Sequence, residues 1–158
     1  MRYALFECVY LRPWPNRPPW IARIEEILSR IANNNKAQTF LGVRWFYRRR
    51  DLLPSGEADF PTCDDPEHEV YLFSGKLDEV PCSKLDGSCS VVCASDVPDV
   101  ASFVEAGDAY FYRYEYNPYQ RDKRAPLFSL PGGKPLIIAS QPQAATSAAA
   151  AGAPAAAA

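Results

Sequence analysis

The sequence has little of what most catalytic sites require. Among its 158 residues there is one histidine, His68, and no glycine-rich loop of the kind that cradles phosphate. A thiol nucleophile with a histidine base would have to use His68, which lies in an acidic run, and no cysteine has neighbours typical of an activated thiol. We therefore predict a protein that is not an enzyme. A cysteine-dependent enzyme using Cys63 or Cys89 with His68 is the distant alternative.

Paired short cysteine spacings of the kind that bind zinc are also missing. The five cysteines are irregularly spaced, at Cys8, Cys63, Cys82, Cys89 and Cys93. An odd number of cysteines in a chain without a recognisable secretory signal favours reduced thiols in an intracellular compartment. We expect no metal and no cofactor. No run of about 18 large apolar residues occurs, so no membrane partner is expected.

The chain has no excess of positive charge. Its 17 Lys and Arg are opposed by 19 Asp and Glu, which leaves a net charge of -2 and no general electrostatic reason to bind nucleic acid. One local exception is the basic cluster in residues 44–50, which contains Arg44, Arg48, Arg49 and Arg50. Such a cluster is either a solvated strand end or a phosphate-binding patch, and its position at a loop entry favours the solvated strand end.

Aromatic residues are abundant but unevenly placed. The 3 Trp, 9 Tyr and 8 Phe all lie between Tyr3 and Phe128. Residues 135–158 are rich in alanine and proline, and their side chains are too small to pack a core. We predict a folded domain over residues 1–134 and a low-complexity, disordered tail over residues 135–158.

Short β-prone runs separated by prolines predict a mainly β fold, a small curled sheet or barrel. The predicted strands are Cys8–Leu11, Phe40–Arg48, Glu69–Phe73, Ser88–Cys93 and Tyr110–Tyr116. A short helix is predicted between Pro98 and Gly107, since Val100, Phe103 and Val104 have helical spacing. Turns are predicted at Asn33–Lys36 and at Asp78–Pro81.

The segment Trp20–Leu28 is ambiguous. Ile21, Ile24 and Leu28 match the spacing of an amphipathic helix, whereas the first half of the segment also alternates as a strand does. Periodicity alone slightly favours a helix.

The order of the segments resembles the bromo-adjacent homology (BAH) domain, a module of chromatin regulators. The matching pieces are Pro19–Glu25, Val43–Arg48, Glu69–Leu72, Asp78–Pro81, Gly87–Val91 and Tyr110–Tyr116. The resemblance implies a distorted β-barrel-like sheet with one or two short helices and long loops. It also implies that Trp20–Leu28 is a strand, and this overrides the periodicity.

Histone-reading members of this family hold a methylated lysine in an aromatic cage, and the resemblance places the cage walls at Trp20, Trp45 and Tyr47. Residues two apart on a strand point the same way, so Trp45 and Tyr47 can share a pocket. A methylated ammonium keeps its charge but loses hydrogen-bond donors, and electron-rich ring faces suit it. The competing interpretation is ordinary core packing, which is the commoner use of such an aromatic pair.

Four further positions are predicted to contact the peptide. Asp51 would attract the cation, and the other three lie in the segment Ser74-Gly75-Lys76-Leu77-Asp78. Plant members of the family have Ser-Asp-His-aromatic-Asp here, so only Ser74 and Asp78 match. Replacing an acid by Gly75 and adding the base Lys76 predicts weaker or redirected selection of a basic tail.

The function predicted from the sequence is therefore a nuclear, non-enzymatic reader of a methylated lysine in a histone tail peptide, with histone H3 favoured by the resemblance. The alternative is a protein-protein or nucleosome-surface scaffold that uses Arg48, Arg49 and Arg50 and contacts nucleosomal DNA or other chromatin proteins. Its binding would fall steeply with salt and would ignore methylation. No small-molecule substrate is expected.

Overall fold

The computed structural model describes residues 3–12, 14–31, 35–52, 60–119, 128–132 and 134–135. These residues form nine strands and one α-helix, which confirms the predicted mainly β fold and the short helix. The elements are β1 (Cys8–Leu11), β2 (Trp20–Ile31), β3 (Ala37–Arg48), β4 (Glu69–Phe73), β5 (Asp78–Pro81), β6 (Leu85–Cys93), α1 (Val100–Val104), β7 (Ala109–Tyr116), β8 (Phe128–Leu130) and β9 (Lys134–Pro135). The predicted tail lies beyond the described residues, apart from the backbone of Pro135, and stays a prediction.

Six of the strands close into a ring. Strands β4, β3, β2, β1, β6 and β7 are hydrogen-bonded in that order, and β7 pairs back onto β4. The pairs β4–β7 and β6–β7 are parallel and the other pairs in the ring are antiparallel. Closure leaves few unpaired edges. The closed ring also encloses a core, as the sequence resemblance implied.

The segment Trp20–Leu28 is a strand, so the helix favoured by periodicity is wrong. Ile21 packs in one core cluster, while Ala22 and Ile24 pack in another on the opposite face of β2. Because both faces are buried, apolar residues occur in both phases of the strand and imitate helical spacing. A bulge at Glu25 then shifts the register with β3.

The predicted turn at Asp78–Pro81 is also wrong. These residues form β5, which pairs antiparallel with residues 40–43 of β3. β4 pairs with β3 only from Phe46 to Arg48, so the earlier part of the same edge is available to β5. The chain turns instead at Cys82–Lys84, in a short 3₁₀ helix. In the other predicted turn, Asn33 and Asn34 lie outside the described residues.

Both faces of β3 are packed, and this positions the candidate site. Val43 and Trp45 belong to one buried cluster, and Tyr47 packs against it. Phe46 points the other way and packs on Tyr112, with ring centroids 5.6 Å apart. The strand alternation predicted for this segment is confirmed.

Candidate binding site

Five of the seven predicted site residues line one pocket. The pocket has a volume of about 480 Å³, and its walls include Arg17, Trp20, Trp45, Tyr47, Asp51 and Asp78. It lies where β2 begins and β3 ends, and the pairing of Ala22 with Trp45 holds these strand ends side by side. The role of the aromatic walls as a methyl-lysine cage stays a prediction.

The two indoles of the pocket stand nearly at right angles. The ring centroids of Trp20 and Trp45 are 5.2 Å apart, with an angle of 86° between the planes. Trp20 is 37% exposed, whereas Trp45 is only 7% exposed. Trp45 donates a hydrogen bond from Nε1 to Oδ2 of Asp78 at 2.7 Å, which fixes the orientation of its ring. A cation entering the pocket would therefore meet a preformed corner of two ring systems.

Tyr47 completes the aromatic lining and joins it to the core. Its ring meets Phe73 edge-on, with centroids 5.9 Å apart and an angle of 83°. Burial, followed by the nearby Tyr119 and Asp78, raises the pKa of Tyr47 to about 12. The phenol is therefore neutral at physiological pH and offers an uncharged ring. Core packing and pocket lining are not exclusive here, because Trp45 and Tyr47 do both.

Two carboxylates give the pocket a negative balance. Asp51 accepts a hydrogen bond from the backbone N–H of Arg48 at 3.3 Å, which ties it to the end of β3. Asp78 begins β5 and accepts the indole hydrogen bond from Trp45. Together with Arg17 they leave one net negative charge on the pocket walls, which favours a cationic ligand.

The other two predicted peptide contacts are elsewhere. Ser74 donates from its backbone N–H and from Oγ to the carbonyl oxygen of Tyr116, at 3.1 and 3.4 Å. Lys76 is exposed on the segment that leads into β5. Neither residue lines the described pocket. Both residues closely precede Asp78 in the chain, and their contact with a peptide stays a prediction.

A salt-bridge network holds the segment between β4 and β5 in place. Glu25, at the bulge of β2, accepts from Arg23 at 2.7 Å and from Arg44 at 3.2 Å. Arg44 also donates to the carbonyl oxygens of Phe73 and Gly75, at 3.2 and 3.3 Å. Asp78 follows this segment, pairs with Val43 of β3 and accepts the hydrogen bond from Trp45. The sequence placed Arg44 in the basic cluster, but no pattern pointed to its ion pair with Glu25.

The basic cluster is largely used inside the domain. Arg48 donates to the carbonyl oxygen of Pro19 at 2.9 Å, and Arg49 donates to that of Pro61 at 3.2 Å. Of Arg48, Arg49 and Arg50, only Arg50 is exposed. All three line a second pocket of about 270 Å³ whose wall also includes the acid Glu67. These contacts weaken the case for a phosphate-binding patch.

The cysteines lack the setting of a nucleophile. Burial raises the pKa of Cys89 to about 12 and that of Cys63 to about 11, which disfavours both thiolates. His68 Nδ1 lies 2.9 Å from an oxygen of Asp65.

Among residues 3–135 as far as they are described, no group of three His, Cys, Asp or Glu side chains could hold a metal ion. No helix in that part of the chain is long and apolar enough to cross a membrane.

The family model of the BAH domain matches residues 1–124. The chain belongs to the BAH domain family. The crystal structure of the yeast Rsc2 BAH domain is similar to it with a TM-score of 0.50 and 15% sequence identity, over 81% of this chain and 48% of that chain. This likeness supports a shared fold, and the resemblance stated from the sequence is confirmed.

Two metastasis-associated proteins are similar in sequence to this BAH domain. MTA1 of Rattus norvegicus is 26% identical over 157 residues, which cover 75% of this chain and 22% of the rat protein. MTA2 of Homo sapiens is 24% identical over 137 residues, which cover 75% of this chain and 20% of the human protein. The chain thus spans about a fifth of the length of these relatives. Family membership confirms the predicted class, a chromatin-related module of a generally non-enzymatic family.

Proposed function

We propose that this BAH domain binds a methylated lysine of a histone tail, histone H3 by preference, and acts in the nucleus as a non-enzymatic reader. The observation that carries the proposal is the common pocket of Trp20, Trp45 and Tyr47. All three residues that the family resemblance selected line it, and its two indoles are nearly perpendicular.

The physical chemistry of the pocket suits a methylated ammonium. Each ring face contributes about 0.5–2 kcal/mol to binding a cation, and more as water is excluded. The neutral Tyr47 and the two indoles supply three such faces. Asp51 and Asp78 add attraction that acts at longer range and is screened by salt. Methyl groups bury apolar surface against the rings, so methylation itself contributes to affinity.

The peptide backbone has a matching edge beside the pocket. In the described part of the chain, β5 pairs with β3 alone, and its first residue, Asp78, lines the pocket. An extended peptide can add to the open edge of β5 as a further strand. Lys76 would then lie near the peptide and oppose a basic residue there.

Titration with histone H3 tail peptides tests the proposal. Unmethylated, mono-, di- and trimethylated peptides are compared by tryptophan fluorescence, with wild type against Trp45→Ala. Trp45 is buried, so Trp20→Ala is the second variant, because its exposed side chain can be removed with less risk to folding. Ile31→Ala, an exposed change near the other end of β2, is the matched control. Circular dichroism confirms that each variant is folded.

We expect the methylated peptide to bind more tightly than the unmethylated one. Trp20→Ala is expected to weaken methylated-peptide binding about tenfold, in line with the loss of one ring face. Ile31→Ala should leave it unchanged. Equal affinity for the two peptide forms would overturn the proposal, as would full binding by a folded Trp20→Ala protein. Binding that ignores methylation and falls steeply with salt would favour the scaffold alternative instead.

A further inference from the structure

All three tryptophans of the chain form one continuous array. Trp14 lies in the proline-rich loop before β2, and its ring centroid is 5.1 Å from that of Trp20 at an angle of 67°. Trp20 in turn meets Trp45. Trp14 is 50% exposed and has no core role. The array therefore connects Trp14 to the pocket through Trp20.

The face of Trp14 is already occupied by a cation of the same loop. The guanidinium carbon of Arg17 lies over the Trp14 ring, 5.7 Å from its centroid, and Arg17 also lines the pocket. Arg17 forms no ion pair with a described carboxylate, and its recorded ring contact is with Trp14. This arrangement is a cation-π pair that adjoins the pocket, because Arg17 lines the pocket and Trp14, which does not line it, contacts the pocket wall Trp20.

The backbone of the loop is tied down while the Arg17 side chain is exposed. Arg12 donates to the carbonyl oxygen of Arg17 at 3.1 Å and forms an ion pair with Asp86 of β6 at 2.8 Å. The N–H of Arg17 donates to the carbonyl oxygen of Trp14 at 3.4 Å. The guanidinium can therefore leave the ring by rotation about its side-chain bonds, without unfolding the loop.

We propose that Trp14 is a fourth aromatic face of the cation site and that Arg17 is the chain's own cation, which occupies this face until a ligand cation displaces it. The inference rests on the proposed function and adds two specificity-determining residues to it. Arg17 competes for the ring and repels a second positive charge in the pocket. It therefore lowers the affinity for the methylated lysine, while Trp14 raises it.

The test combines two exposed substitutions in the intact chain. The probe is the methylated histone H3 peptide that binds wild type most tightly. Calorimetry measures its binding to every variant, and tryptophan fluorescence also follows its binding to Arg17→Gln, which keeps all three tryptophans. Arg17→Gln removes the charge but keeps the length of the side chain, and Trp14→Ala removes the ring. Lys36→Gln is the charge-matched control, since this exposed lysine lies next to the first residue of β3, about 30 Å of strand from Trp45.

Arg17→Gln is expected to tighten binding about three- to tenfold, and the gain should shrink as salt rises because salt screens the repulsion. Trp14→Ala is expected to weaken binding by a similar factor. In the Trp14→Ala background, Arg17→Gln should gain less than it does in the wild-type background, and the remaining gain should disappear at high salt, because only the screened charge repulsion is left once the ring is gone. Lys36→Gln should match wild type.

The outcomes separate this inference from the proposed function. If binding depends on methylation and on Trp20 but Arg17→Gln behaves like Lys36→Gln, the fourth face is overturned and the proposed function stands. Weaker binding by Arg17→Gln would also overturn it. If neither wild type nor Arg17→Gln distinguishes methylated from unmethylated peptide, both fail.

Discussion

Gly75 is held to glycine by the ring of Phe73, and replacing it with alanine should destabilise the domain. A Cβ on residue 75 would lie 2.2 Å from Cζ of Phe73, whereas ordinary contacts begin at 3.4 Å. The ring would have to move by about 1.2 Å. It is only 5% exposed and is flanked by Tyr47 and Tyr119, with centroids 5.9 and 6.1 Å away. Overpacking of this kind costs about 1–3 kcal/mol.

Urea unfolding of Gly75→Ala measures this cost, and we expect a loss of about 2 kcal/mol with an unchanged denaturant slope. Lys76→Ala, at the exposed neighbouring position, is the control and should change stability by less than about 0.5 kcal/mol. The double variant Gly75→Ala with Phe73→Leu should lose less than the sum of the two single losses, because a shorter side chain relieves the clash. A loss below about 0.5 kcal/mol in Gly75→Ala, or strict additivity, would refute the reasoning.

Two further predictions concern buried titratable groups. Burial raises the pKa of Glu69, partly opposed by Cys63 and Arg113, so the folded state binds this proton more tightly than the unfolded state. That stabilisation is complete below about pH 4.5 and is lost as the pH rises through the raised pKa of Glu69 in the folded state. Urea unfolding at pH 4.5 and above should show that wild type loses stability relative to Glu69→Gln. A stability difference that stays constant with pH would contradict this. Burial also raises the pKa of Cys8 to about 11 and that of Cys89 to about 12. Mass spectrometry after iodoacetamide treatment at pH 8 should find both thiols unmodified in the folded protein and modified in urea. Rapid labelling of the folded protein would contradict this.

The sequence was sufficient for the features that depend on local pattern. Alternation along Val43–Arg48 predicted which side chains of β3 share a face, and the pocket contains Trp45 and Tyr47 together. The capping pattern around Pro98 and Gly107 predicted the helix, and Asp99 accepts from the N–H groups of Ala101 and Ser102 as an N-cap does. These features depend on neighbours in the chain, so they can be predicted without knowing the tertiary fold.

Features that depend on long-range packing could not be predicted in this way. β2 imitates a helix because both of its faces are buried, each in a different core cluster whose other members come from strands distant in sequence. β5 is extended because part of the β3 edge is available to it. Glu25 and Arg44 meet because β2 pairs with β3 and a bulge interrupts that pairing at Glu25. Each of these outcomes is decided by partners distant in sequence.

One arginine of the basic cluster, Arg48, contacts residues that adjoin the aromatic pocket. The guanidinium carbon of Arg48 lies 5.8 Å from the ring centroid of Tyr110. The same guanidinium donates to the carbonyl oxygen of Pro19 at 2.9 Å. Pro19 directly precedes Trp20, so this bond fixes the strand entry that presents the exposed indole to the pocket. The backbone N–H of Arg48 also holds Asp51. A hydrogen bond from a charged donor to a backbone carbonyl contributes about 1.5–3 kcal/mol, so Arg48 helps to stabilise the entry of β2, where Trp20 lines the pocket.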